Sequence, residues 1–155
     1  MIAITGAGEY LDIIRPFDEI LLNKLKDDPY VLCFPTAAGL ESEERIQYWL
    51  DLGDEHFTKL NVNHKSIRAL NVDDYNKPET LAEIEKANFV YFSGGNPNHL
   101  YETLSSSLAW EKLLTIHNSG GILAGCSAGA MIMGEKMNKG KGFGFFKNSM
   151  VLPHW

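Results

Sequence analysis

Short apolar runs alternate with segments of helical spacing along the whole chain, and that alternation constrains the fold more than any other feature. The runs are "IAIT" (2–5), "YVLCFPTA" (30–37), "KSIRALNV" (65–72), "NFVYFSGG" (88–95) and "GGILAGC" (120–126), with "NSMVLPHW" (148–155) as a sixth strand. Between the first two, apolar residues at 13, 14, 17, 20, 21, 22 and 25 have helical spacing, and Pro16 suits a first turn near Arg15. The segment 41–60 opens on a Ser42 cap followed by early acids, a helix start. Residues 76–87, 97–107 and 108–119 give further helical pieces. Such β-α alternation predicts an α/β fold: a doubly wound, mostly parallel sheet with helices on both faces, three layers in all. The site of such a fold lies on loops at the strands' C-terminal ends. Here those are residues 6–10, 36–41, 93–98 and 126–130.

A chain of 155 residues fits one domain, expected to span 1–155. A formal charge of −6 argues against a nucleic-acid or anionic-membrane surface. No run approaches the ~18 apolar residues of a membrane helix, and "MIAITGAGEY" lacks the features of a signal peptide. Cys33 and Cys126 have no metal-type spacing and read as buried free thiols, which suits a reducing cytoplasm. The lysine- and glycine-rich "KMNKGKGFGFFK" (136–147) reads as a solvated, mobile loop, or more sharply as an anion-attracting rim.

Gly125-Cys126-Ser127-Ala128-Gly129 matches the G-x-S-x-G elbow, between an apolar strand and "MIM". A strand that turns at once into a helix leaves the middle residue strained and exposed. Small residues two positions either side let strand and helix approach. This register makes Ser127 the nucleophile candidate and turns Cys126 into the packing. The Ala128 N–H, at a helix start, is placed to hold an oxyanion. A tight Gly/Ala packing turn without chemistry is the alternative.

A serine nucleophile needs a base, and five histidines are available. His56 and His64 read as surface or half-buried residues, and His117 as a helix-terminal one. His99 is a candidate for the site rim. His154 follows the elbow in chain order and ends the sixth strand, so it can reach a serine at the end of strand five. In "SGGNPNHL", Gly94 and Gly95 permit close backbone approach to a ligand, with Gly94 and Asn96 as candidate substrate contacts. A simple turn with an Asn cap is an equal alternative there.

Together, "VYFSGGNPNHLYETL", "GGILAGCSAGAMIMGE" and "VLPHW" resemble the peptidase E and cyanophycinase group of serine peptidases. The resemblance spans essentially the entire chain. It implies a class I glutamine amidotransferase-like, flavodoxin-like fold and no metal or cofactor. It implies Ser127 as nucleophile, His154 as base, and Gly95 and Ala128 as oxyanion donors. The implied substrates are small peptides, with N-terminal Asp or a related β-linked aspartyl group. Family members run on with further strands past the histidine, whereas this sequence ends at Trp155. An exposed sheet edge is therefore expected: either a partner chain, such as a second copy in a homo-oligomer, covers it, or the protein is less stable than its longer relatives. The family's third member is an acid between serine and histidine, and Glu135 is the sole acid in that interval.

The leading expectation is a serine-type peptidase acting through an acyl-enzyme. The principal alternative is a truncated or degenerate, non-catalytic member serving binding or assembly. A flavodoxin-like binding module and a hydrolase or amidotransferase acting through Cys126 are weaker alternatives. Acid specificity would want an arginine near the site. Of Arg15, Arg45 and Arg68, Arg45 comes within a turn of a strand's C-terminal loop.

Overall fold

The computed structural model describes residues 1–154. Its five-stranded sheet is wholly parallel, in the order β1-β5-β4-β2-β3. The strands are β1 (Ile2–Thr5), β2 (Tyr30–Phe34), β3 (Asn63–Ser66), β4 (Phe89–Phe92) and β5 (Ile122–Cys126). The two central strands β4 and β5 are buried at every position, as expected where helices cover both faces.

Helices α1 (Arg15–Leu22) and α2 (Glu43–Lys59) cover one face. There Leu21, Ile46, Trp49, Leu50 and Phe57 pack with Val31, Phe89, Tyr91 and Ile122. The other face carries α3 (Val72–Asn76), α4 (Pro78–Lys86), α5 (Pro97–Ser105), α6 (Ala109–Asn118) and the short α7 (Ala128–Met131). Its core joins Tyr75, Ile84, Leu100, Leu113 and Ile132 to Leu32, Val90, Phe92 and Leu123. The α2 start follows the sequence reading, since the Ser42 hydroxyl accepts from the Arg45 N–H at 3.3 Å.

Registers bring the strand C-termini into line. Thr5 pairs with Cys126, Phe92 with Gly125, and Phe34 with Phe92. The loops after β1, β2, β4 and β5 therefore meet at one end of the sheet.

Three expectations need correction. The third strand is shorter and more polar than 65–72, because β3 is an edge strand with one sheet neighbour, and its alternating polar residues blunt that edge. The segment 136–147 is not a mobile loop. It contributes to a second sheet of β6 (Gly134–Met137), β7 (Gly140–Lys141) and β8 (Phe146–Met150), with β6 central. Phe143 anchors it: its ring stacks on Trp110 with centroids 3.5 Å apart and meets Tyr101 at 4.7 Å. The aromatics outweigh the lysines here, because burying a ring stabilises more than a solvated charge. The last strand, β8, joins this second sheet, parallel to β6, rather than extending the main sheet. Residues 151–154 continue without regular structure, and Trp155 of the sequence motif lies outside the described residues.

No described helix is long and apolar enough to cross a membrane. Replacing Phe143 with Ala removes its stacking on Trp110 and Tyr101 and weakens the contact between the second sheet and the helices. We expect it to cost about 2 kcal/mol, less than a fully buried Phe→Ala, as read by urea denaturation.

Candidate active site

The turn from β5 into α7 is strained. Ser127 has φ 50° and ψ −111°, outside the usual regions for an L-residue. Its neighbours hold it there. Ser127 N–H donates to the Thr5 carbonyl at 3.2 Å, and its own carbonyl accepts from Ala130 and Met131 at 3.1 and 3.0 Å. A Cβ on Gly125 would lie 2.2 Å from the Gly129 backbone, and one on Gly129 2.2 Å from the Phe92 carbonyl oxygen. Only glycine fits at both positions, so strand and helix close onto each other and push Ser127 outward.

His154 meets that serine, with Nε2 3.0 Å from Ser127 Oγ. The approach comes from the tail after β8, which crosses the β1 loop. A Cβ on Gly6 would lie 3.5 Å from the His154 nitrogen and 4.0 Å from Pro153 Cα. The two residues share a cleft of about 280 Å³ with Glu9, Glu41, Arg45, Trp49, Gly94 and Gly95. A larger cavity of about 440 Å³, beside Asn23, Asp28 and Leu60, opens at the other end of the strands and holds no serine or cysteine nucleophile.

The loop after β4 lines the same cleft through Gly94 and Gly95. In the loop after β4, Ser93 donates to the Phe34 carbonyl, Gly94 to Glu9 Oε1 and Asn96 to the Ala37 carbonyl, at 3.3, 3.0 and 2.7 Å. Among the described residues this leaves the Gly95 N–H without an acceptor. At the elbow, Ala128 begins α7, where a helix N–H has no intrahelical partner. A Cβ built on Gly94 would sit 3.6 Å from Ser127 Oγ, so the Gly-Gly loop lies directly against the serine.

The remaining candidates go elsewhere. Glu135 Oε2 accepts from the Asn148 N–H at 2.6 Å, which ties β6 to β8; that is the hydrogen bond it makes, not one to His154. The Asn96 carboxamide oxygen caps α5 by accepting from Asn98 and His99 at 3.0 and 3.1 Å, so the cap alternative holds there. The Gly94 N–H is occupied by Glu9, so Gly94 meets the cleft without offering that donor. His99 turns its Nε2 to the Leu70 carbonyl at 2.7 Å and is not among the residues that line the cleft. His56 is buried, not at the surface, and bonds Asp18 Oδ2 at 2.8 Å. Burial holds the Asp18 carboxyl above its ordinary range, with His56 opposing the shift.

Glu9 escaped the sequence reading as an individual residue, although its loop, 6–10, was among the candidate ends. An acid directly after a strand-end "GAG" was the available signal. Only 7 % exposed, it also accepts from Cys126 Sγ at 2.9 Å. Burial first, and then Glu9, push the Cys126 thiol up to about 12. A thiol held there is not a thiolate at neutral pH and is a poor nucleophile.

Arg45 reaches the cleft from the first turn of α2. Its Nε lies 3.5 Å from Glu41 Oε2, and its guanidinium sits 4.8 and 4.7 Å from the Tyr48 and Trp49 ring centres. Among the described residues, no cluster of three or more His, Cys, Asp or Glu side chains is placed to hold a metal ion.

The profile of Peptidase family S51 matches residues 1–150. The chain belongs to that family. A peptidase of known structure from an acI-B1 actinobacterium is 35 % identical, with a TM-score of 0.92 over 99 % of this chain and 67 % of its own. A Listeria monocytogenes EGD-e protein carrying the peptidase E name is 20 % identical, with a TM-score of 0.60 over 85 % of this chain. This second likeness bears on the fold alone. The chain spans 60 % of the Listeria protein's length. No curated protein matches.

The buried thiol gives a direct prediction. Iodoacetamide at pH 8 should leave Cys126 unmodified in the folded protein and alkylate it after denaturation, as read by peptide mass mapping. Rapid native modification would mean that the thiol is accessible and ionised.

Proposed function

We propose that this S51 chain is a serine-type peptidase that cleaves small peptides through an acyl-enzyme. The observation that carries this reading is the 3.0 Å contact between Ser127 Oγ, held at a strained elbow, and His154 Nε2. His154 accepts the hydroxyl proton as Ser127 Oγ attacks the scissile carbonyl. The carbonyl oxygen becomes an oxyanion between the Gly95 and Ala128 N–H groups. Collapse breaks the C–N bond, and His154 returns the proton to the leaving amine. Water then attacks the acyl-enzyme with His154 again as base, releasing the acid and restoring Ser127.

Glu135 is a positioning residue in this scheme. Through Asn148 it holds β8, and so the tail that delivers His154. The proposed substrates carry an N-terminal Asp, whose side-chain carboxylate pairs with Arg45, the cation of the cleft. Two buried free thiols suit a reducing compartment as the setting.

Hydrolysis of Asp-p-nitroanilide and of Asp-Leu tests the scheme. Ser127→Ala and His154→Ala should each lower kcat/KM by about 10⁴ or more. Glu135→Gln keeps an acceptor for the Asn148 N–H and should stay close to wild type. Arg45→Met should raise KM for Asp substrates about tenfold, as expected for losing one charged hydrogen bond. A Ser127→Ala variant as active as wild type would remove Ser127 from the reaction. An inert wild type that binds peptide would favour the non-catalytic alternative.

A further inference from the structure

We propose that Glu9 is a positioning residue that sets the oxyanion-binding peptide, a role that rests on the Ser127 reading above. The Gly94–Gly95 unit lines the cleft against Ser127 and keeps the Gly95 N–H without an acceptor among the described residues, and glycine backbone is the least able to hold its own conformation. Gly95 sits at φ 140°, and a Cβ there would lie 2.4 Å from the Ala37 carbonyl. The peptide planes on both sides of this unit are pinned. The Asn96 N–H is held by the Ala37 carbonyl at 2.7 Å, a backbone tether. The Gly94 N–H is held at 3.0 Å by Glu9 Oε1, a side chain reaching across from the β1 loop.

The same carboxylate is itself oriented. Its second oxygen takes the Cys126 thiol hydrogen at 2.9 Å, one residue before the nucleophile. Glu9 thus ties together the ends of β1, β4 and β5. A side-chain hydrogen bond to that N–H supplies order that a glycine loop lacks on its own. There is no slack in the arrangement. A Cβ at position 94 would lie 2.8 Å from Glu9 Oε1 and 3.4 Å from Ser127 Cβ, so the loop fills the gap between carboxylate and serine. Cys126 has a matching use: its buried thiol aims the carboxylate.

Three variants and two readouts test this assignment. Glu9→Gln retains an acceptor for the Gly94 N–H and a polar partner for Cys126. Glu9→Met fills similar volume without a comparable acceptor, and Glu9→Ala removes the side chain. With Asp-p-nitroanilide, Glu9→Met and Glu9→Ala should lower kcat about 10- to 100-fold with KM little changed, and Glu9→Gln should stay within about threefold of wild type. Amide hydrogen exchange by NMR should show Gly94 protected in wild type, in Glu9→Gln and in Ser127→Ala, and exchanging at least tenfold faster in Glu9→Met. Wild-type kcat in a folded Glu9→Met overturns the assignment. So does a Glu9→Gln loss as deep as that of Glu9→Met, which would make the charge the requirement rather than the hydrogen bond. If wild type does not turn over the anilide, the substrate reading fails by itself; unchanged Gly94 protection in Glu9→Met then still overturns the role of Glu9. Should Glu9→Met and Glu9→Ala both unfold, Glu9→Gln decides through the same two readouts.

Discussion

The site depends on the close approach of the β5 backbone to the first turn of α7. Two glycines permit it, with no room for a single extra carbon at either position. The result is a serine in a conformation that costs about 1–3 kcal/mol and that persists only because its surroundings over-determine it. The Thr5 carbonyl, the α7 turn and the buried β4–β5 pair supply that surrounding. The strained turn puts the hydroxyl at the C-terminal end of β5, in the cleft. It also separates the two candidate nucleophiles. The same turn that brings Ser127 to the cleft buries Cys126 against Glu9, and burial and that contact push its thiol up.

His154, the proposed base, reaches the elbow by a different route. His154 is delivered by a second, small sheet that owes its position to aromatic stacking on α5 and α6. The histidine is therefore coupled to packing far from the cleft. Phe143, Trp110 and the Glu135–Asn148 hydrogen bond all lie on the path between the helices and the tail. In the proposed reaction the contribution of these residues is geometric, a matter of alignment rather than of a chemical group.

Most of the main sheet was legible in the sequence because β1, β2, β4 and β5 are short apolar runs, and the longer helices between them have their own period; the polar edge strand β3 was not legible in this way. Ser127 sits at the turn that the elbow register marks, whereas His154 meets it from the tail of the second sheet and not from a sixth strand of the main sheet. The last third was harder to read. In 134–150 the pattern of lysine and glycine hides three short strands, and the signal that mattered was the spacing of Phe143, Phe145 and Phe146, which pack onto the main core. Glu9 and the Asp18–His56 pair escaped for a related reason. A lone acid or histidine carries no period, and its burial is decided by residues distant in sequence. Asn96 was undecided between cap and ligand contact, and helix α5 took it as a cap.

Labelling with a fluorophosphonate, followed by intact-mass and peptide mapping, tests the central claim most directly. A single adduct on Ser127 in wild type, lost in His154→Ala, is the predicted result. No adduct, or an adduct on another residue with Ser127 unmodified, would contradict it.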